Sequence, residues 1–592
     1  MWLPKVYRRI LVWRLRYISN RNFVLILGGI VGTIAGLAAV ILKTSVHWIN
    51  HFLTGGFHLK TGHFYYVLFP TIGLILTYLV ATFLFKEKLG HGVTSVIYAI
   101  SKGSSRMKRR MMLSRLVTST LTVGFGGSVG LEAPIVLTGS AIGANVGTEA
   151  HLHYRQRTLM IGCGSAGAVS AIFDSPIAGV IFAIEVILTE VNINKFIPLL
   201  IASVCGSIVS MLLLQEESLF RFELTDAFIA SDVPYYIGLG IFCGIIAVYF
   251  TRTHYYLENK IQQIESSWKR ILIGGVGLGV LIYLFPPMYG EGYNSIKTLI
   301  SDGGASILNR SPFFQHESNE WFVVAFLAAL IIIKAIASSL TIGSGGSGGV
   351  FAPSLFIGGI TGFLYARIMS LTGLGTISTT NFALVGMCGI MSGVLHAPLT
   401  GIFLIAEITD GYTLFVPLMI VSAIAYSTIY YFEPHSIYTK HLIEKGDLIQ
   451  GNHDKQLLSL LNIRSMIERD FKTIHPEATL GELVQEVKVS NRNIFPVVNS
   501  ECNLVGIIYL DDIRQLMFEK SKYGVILVKT IMRPTTEIIK IHDNMLTVMS
   551  KFEKSNSWNL PVLNNDTYIG FISKSTIFDA YRHRLIKQAK ED

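Results

Sequence analysis

Apolar stretches long enough to span a bilayer recur through the first three quarters of this chain, and no other feature narrows its fold as much. Examples are "FVLILGGIVGTIAGLAAVILKTSV" from Phe23, "YVLFPTIGLILTYLVATFLF" from Tyr66 and "WFVVAFLAALIIIKAIASSLTIG" from Trp321. About 20 apolar residues in a helix match a hydrocarbon core about 30 Å thick. Inside lipid, a helix satisfies its own backbone hydrogen bonds. Only 15% of the 592 residues are charged and 51% are hydrophobic, whereas soluble domains carry about 25% charged residues. The pattern predicts a polytopic α-helical membrane protein.

The first apolar run is too long for the apolar core of a cleaved signal, about 7–15 residues, and no small-residue cleavage site follows it. Lys5, Arg8, Arg9, Arg14, Arg16 and Arg21 precede it, and a second basic cluster runs from Ser101 to Arg115. The positive-inside rule places both on the cytoplasmic side. The net charge of +10 is therefore explained by topology, without nucleic acid as a partner. Cys163, Cys205, Cys243, Cys388 and Cys502 show neither paired nor metal-ligand spacing, so neither a disulfide framework nor a metal site is expected.

The membrane part contains a repeat. "GLEAPIVLTGSAIG" from Gly130 resembles "GVFAPSLFIGGITG" from Gly349, which aligns Ala133-Pro134 with Ala352-Pro353. "SPIAGVIFAIE" from Ser175 resembles "APLTGIFLIAE" from Ala397, in the same order and at nearly the same offset. Duplications of this kind fold as inverted repeats in transporters, with broken helices from each half meeting near the midplane. Glycines followed by a proline in the first turn suit a helix start with free N–H groups. Two such starts together form an anion site without any basic side chain. Glu132, a carboxylate at one of these starts, has no solvation in lipid and must face something else.

These residues resemble the CLC family of chloride channels and chloride/proton antiporters over about residues 20–590. The family's "GREGP"-type motif appears as "GLEAP", its "GxFxP" motif intact as Gly349 to Pro353, its pore tyrosine as Tyr438 in "HSIYTKHL", and the segment "AEITDGYTLFVPL" contains Glu407. The resemblance implies an inverted-repeat CLC fold, a homodimer with one pathway per subunit, and chloride or a similar small anion as substrate. It implies that Glu132 gates the path and that Gly92, Val93, Gly130, Leu131, Val350 and Phe351 bind the anion, with the Tyr438 hydroxyl. The arginine before the gate is Leu131 here. The "GSGIP" motif is altered to Gly90-His91-Gly92-Val93-Thr94. Either the His91 imidazole turns aside, or it donates to the anion and makes transport pH-sensitive; bromide, nitrate or another anion is then less firmly excluded.

Proton-coupled members carry an inner glutamate where this chain has Val186, after Glu185. Valine holds no proton, which favours a passive, glutamate-gated chloride channel. Proton exchange stays open through Glu190 or a water wire. Glu185 and Glu407, at equivalent repeat positions, are expected to bond backbone N–H groups near helix ends. An intramembrane enzyme using Glu132, His91 and His396 lacks any "HExxH", nucleophile elbow or Walker loop. The expected class is a transporter, not an enzyme.

After about Tyr438 the composition turns polar. "NIFPVVNSECNLVGIIYLDDI" from Asn493 resembles "WNLPVLNNDTYIGFISKSTIF" from Trp558, with Pro496 and Pro561 aligned. Alternating apolar runs predict strands and "LGELVQEVKVS" a helix, similar to a tandem CBS pair of α/β domains. Such pairs often bind adenine nucleotides; Asp512 and Ser573 are the candidates, although each copy keeps only part of the pattern. No cofactor is otherwise expected. The predicted layout is a cytoplasmic N-terminus (1–22), a transport domain (23–442, repeats about 23–215 and 232–442), a linker (443–458) and CBS domains at 459–522 and 523–592. The expected location is a bacterial-type inner membrane, with the N-terminus and CBS domains cytoplasmic.

Overall fold

The computed structural model describes residues 17–55, 65–87, 92–101, 105–188, 196–214, 226, 228–302, 320–409, 411–444, 458 and 461–591. His91, Glu190 and the basic residues before Tyr17 lie outside them. The chain divides into two compact units, Met1–Leu448 and Ile449–Asp592.

The first unit is helical. Its first half comprises α1 (Asn20–Gly55), α2 (Tyr65–Leu79), α3 (Gly92–Ser101), α4 (Met111–Gly124), α5 (Glu132–Glu149), α6 (Tyr154–Phe173), α7 (Pro176–Phe182) and α8 (Phe196–Leu214). Its second half comprises α9 (Val233–Gln262), α10 (Ser267–Leu284), α11 (Tyr293–Asp302), α12 (Glu320–Gly343), α13 (Phe351–Leu371), α14 (Thr379–Leu395), α15 (Pro398–Ile408) and α16 (Phe415–Phe432). Among the described residues, eight helical stretches are long and apolar enough to cross a membrane, including those begun by the Phe23, Tyr66 and Trp321 runs.

The duplication is visible in the backbone. α4 and α12 end at Gly124 and Gly343, and each is followed by a glycine in the left-handed region, Gly126 at φ +94° and Gly345 at φ +96°. Only glycine adopts that conformation without strain, so both halves make the same turn into α5 and α13. α6 and α14 both end on a left-handed residue, Asp174 at φ 58° and His396 at φ 55°. α7 and α15 both open with proline, which needs no N–H there. α5 crosses α6 at Gly139 and Gly164, where a β-carbon on either residue would collide with the other's carbonyl oxygen. The equivalent glycines of the second repeat, Gly358 and Gly386, make the same crossing: β-carbons there would stand 2.6 and 2.5 Å from the facing carbonyl oxygens. Glycines thus let broken helices pack backbone to backbone, as expected where lipid gives no hydrophobic drive between helices.

The second unit holds two similar halves. In the first, α17 (Leu480–Val489) precedes the hairpin β1 (Ile494–Val498) and β2 (Leu504–Tyr509), and Ile474 bridges Val497 in parallel. In the second, β3 (Ile539–Lys540) pairs in parallel with β4 (Asn559–Asn564), which pairs antiparallel with β5 (Thr567–Ser573), and α18 (Met545–Ser555) stands between β3 and β4. The N-caps Thr479 and Asn544 share the same backbone angles, φ −83° and ψ 158°, and each accepts from the N–H three residues on. The halves meet through a small core of Phe471, Ile494, Ile507 and Phe571, with the two Phe rings 4.6 Å apart.

Gly139→Val should lower stability by roughly 3 kcal/mol or more, because backbone rather than a mobile side chain fills the space. Gly277→Val, where a β-carbon meets nothing closer than 3.6 Å, should be tolerated. Thermal unfolding in detergent, followed by size exclusion, checks the contrast.

Candidate functional site

The loops before α5 and α13 are joined to each other. Gly130 and Gly349 exchange both backbone hydrogen bonds, each at 2.9 Å, as a single antiparallel bridge. Two equivalent residues thus pair across an approximate two-fold axis, which brings the starts of α5 and α13 face to face. A β-carbon on Gly349 would stand 2.6 Å from that of Ala133, and one on Gly130 would stand 2.8 Å from that of Ala352. α3 enters the same place, since a β-carbon on Gly92 would lie 2.5 Å from the Ala133 carbonyl oxygen. Tyr438, 6% exposed, closes it, and its carbonyl accepts from Thr94 Oγ1 at 3.0 Å. Three helix starts and one tyrosine therefore converge.

Glu132 is the first residue of α5 and is 2% exposed. Its Oε1 accepts from the Tyr293 hydroxyl. Its Oε2 is buried without a hydrogen bond of good geometry; the backbone N–H groups of Glu132 and Ala352 lie beside the carboxylate. A β-carbon on Gly130 would collide with Oε2, so the glycine leaves the room in which the carboxylate sits. Of the sequence-predicted site residues, the fold brings together Gly92, Val93, Gly130, Leu131, Glu132, Val350, Phe351 and Tyr438. Leu131 and Val350 are the N-caps of α5 and α13. Phe351 is packed by Phe173, with ring centroids 5.0 Å apart, and by Phe182 at 6.2 Å. His91 lies outside the described residues.

Val186 sits in a π-helical turn, Ala183–Ile187, half-buried against the apolar core. In the same turn the Glu185 carboxylate accepts from Leu399 N at 3.1 Å, Thr400 N at 2.8 Å and Thr400 Oγ1 at 2.7 Å. Those donors begin α15. Glu407, on α15, accepts in return from Ile177 N at 2.9 Å and Ala178 N at 2.8 Å, which begin α7. Each repeat thus caps a helix of the other.

Several polar groups near the site were not apparent from the motifs. Glu291 Oε1 accepts from Leu131 N at 3.3 Å. Lys334, fully buried on α12, donates to Ser128 Oγ at 2.9 Å and to the Gly290 carbonyl at 3.1 Å, and its ammonium lies 4.8 Å from the centre of the Phe356 ring. On α9, His254 and Glu258 are both buried, with Nε2 and Oε2 3.5 Å apart, and His254 Nδ1 is 3.1 Å from Ser339 Oγ. Gln262 donates to Glu258 at 2.7 Å. His254 and Glu258 line a cavity together with Gly92, Gly349, Val350 and Tyr438. Glu258 also lines a second cavity of about 1190 Å³ that reaches Lys86, Arg106, Lys108 and Arg270. The signal for this pair was its i, i+4 spacing in "THYYLEN"; the signal for Lys334 was a lone cation within an apolar run.

In the second unit, Asp512 accepts from Tyr509 N at 3.2 Å and pairs with Arg533. Ser573 Oγ donates to Glu468 at 2.7 Å, and Glu468 pairs with Arg492 at 2.8 Å. Arg492 also bonds Asp470 and holds that carboxyl below its ordinary value. Both sequence-predicted nucleotide candidates thus have partners within the protein. Among the described residues, no cluster of His, Cys, Asp and Glu could hold a metal ion.

Comparison with known proteins fits this geometry. The model of the family "Voltage gated chloride channel" matches residues 72–429, and the CBS domain model matches 463–519 and 528–583. A ClcB-like protein of Ralstonia nicotianae is 26% identical over 440 residues, 72% of this chain and 97% of that one. The H(+)/Cl(−) exchange transporter ClcA of Klebsiella pneumoniae subsp. pneumoniae is 26% identical over 412 residues, 67% of this chain and 83% of that one. The crystal structure of a eukaryotic CLC transporter covers 94% of this chain and 99% of its own, with a TM-score of 0.61 and 18% identity, a likeness of fold.

Glu185→Ala should cost roughly 2–3 kcal/mol by leaving the N–H and hydroxyl of buried Thr400 at the start of α15 unpaired, and Glu185→Gln, which keeps an acceptor, should cost less. Melting temperatures of the detergent-solubilised variants check the order.

Proposed function

The chain belongs to the voltage-gated chloride channel family and carries two CBS domains, and from that premise we propose that it conducts chloride passively through a path gated by Glu132. It is an integral membrane protein of CLC-type chloride transport. The observation that carries the gate is the place of the Glu132 carboxylate, buried where the starts of α5 and α13 face each other. Helix N-termini attract an anion through unpaired N–H groups and dipole ends. An ionised carboxylate and a chloride compete for that pocket, so the ionised side chain blocks the path and the protonated one leaves it. Gly92, Val93, Val350 and Phe351 offer backbone N–H groups to the anion, with Tyr438 beside them. The basic side chains of the larger cavity draw anions toward it from the side we assign to the cytoplasm. The protein acts as a homodimer with one path per subunit.

Absence of proton coupling rests on Val186, which offers nothing to protonate at the family's inner proton position. One observation favours exchange instead. His254 and Glu258 lie between the larger cavity and the Tyr438 site and could carry protons where Val186 cannot. The CBS unit serves as a scaffold whose nucleotide candidates, Asp512 and Ser573, first have to give up Arg533 and Glu468.

Paired chloride and proton fluxes in chloride-loaded liposomes, with valinomycin clamping the voltage, test the reading in wild type, Glu132→Ala and Glu258→Gln. Chloride efflux without proton movement in wild type is the expected result. Proton uptake that tracks chloride and disappears in both variants overturns the channel in favour of exchange through the α9 pair. No chloride flux in any protein overturns both readings.

A further inference from the structure

Tyr293 lies outside every motif that the two repeats share. It begins α11 in the sequence "YGEGYNSIKTLI", is 5% exposed, and its hydroxyl donates to Glu132 Oε1. The short segment before it is tied at three points to the segment before the gate. Glu291 accepts the Leu131 N–H at 3.3 Å. Lys334 bonds Ser128 Oγ at 2.9 Å on one side and the Gly290 carbonyl at 3.1 Å on the other. A third tie is backbone, from Gly290 N to the Gly126 carbonyl at 3.3 Å. Segments 126–132 and 290–293 are therefore held edge to edge, and Tyr293 is aimed at the carboxylate with little freedom to turn away.

We propose that Tyr293 is the latch of the gate: its hydroxyl holds the ionised Glu132 carboxylate over the anion path, and Glu291 and Lys334 fix the turn that aims it. This rests on the reading of Glu132 as the gate. Tyr293 is a positioning residue, since it acts on the anion only through Glu132. A phenol that donates to a carboxylate stabilises its charged form, so the closed gate persists to lower pH than it would alone. Glu291 makes no such bond to the carboxylate, and any charge on it disfavours that of Glu132. The charged and titratable groups around this point are Tyr293 on α11, Glu291 in the turn before it and Tyr438 after α16, with Lys334 on α12 and Lys43 on α1 near Glu291.

The direction of the shift makes the test selective. Chloride efflux from liposomes is measured against pH for wild type, Tyr293→Phe, Glu291→Gln and Glu132→Gln. Tyr293→Phe keeps the ring and its packing and removes only the donor. The pH of half-maximal efflux should rise by on the order of one unit, with more flux at neutral pH. Glu291→Gln keeps an oxygen for the Leu131 N–H and carries no charge, so its midpoint should hold or fall. A general loosening of the turn would move both variants the same way. A Tyr293→Phe midpoint equal to that of wild type, or displaced in the same direction as that of Glu291→Gln, overturns the latch. Glu132→Gln separates the two claims: efflux independent of pH supports the gate on which the latch acts, whereas an unchanged pH profile in that variant overturns the gate reading itself.

Discussion

The paired hydrogen bonds between Gly130 and Gly349 are the constraint around which the transport unit is arranged. They require the same turn in both repeats, which Gly126 and Gly345 supply with positive φ. They also require two backbones with no side chain between them. The result is electrostatically awkward, because two helix starts carry roughly half a positive charge each and here face each other in a medium that screens little. Some negative charge must complete the arrangement. Glu132 supplies it from within the chain, which explains a carboxylate among glycines in an apolar region.

The same difficulty arises at the starts of α7 and α15, and the chain solves it differently. Glu185 accepts three hydrogen bonds from the start of α15, and Glu407 accepts two from the start of α7. Those carboxylates are saturated and fixed. Glu132 keeps one oxygen, Oε2, buried without a well-formed hydrogen bond. A carboxylate so held is easier to displace by an anion or a proton than one gripped by several donors. On the reading proposed above, this difference in well-formed hydrogen bonds suits Glu132 to move and Glu185 and Glu407 to stay.

The repeat and its helix breaks were legible in the sequence because glycine and proline carry backbone requirements that recur at fixed offsets. The crossings at Gly139 and Gly358 fall on the offset that the Ala133 and Ala352 motifs announced. Tyr293, Glu291 and Lys334 were hidden because their meaning lies in contacts with partners far away along the chain, outside the repeated motifs. Lys334 alone left a trace, a cation in the middle of an apolar run. In the tail, pattern located Asp512 and Ser573, but their partners Arg533 and Glu468 are set by the packing of the two halves. The role proposed for Glu132 comes only through family resemblance, since a lone Glu at a helix start is otherwise an ordinary cap.

The proposed gating finally depends on where the two repeats differ. The position equivalent to Glu132 in the second repeat is Phe351, and it is locked by Phe173 and Phe182. A second glutamate there would set two carboxylates against each other, and one of them would have to stay protonated. No glutamate at either place would leave the opposed helix starts open to any anion, with nothing to shut them. One carboxylate and one fixed aromatic ring give a pocket that a single side chain can occupy or vacate. In the proposed mechanism the backbone symmetry makes the anion site, and the broken symmetry of the side chains makes it controllable.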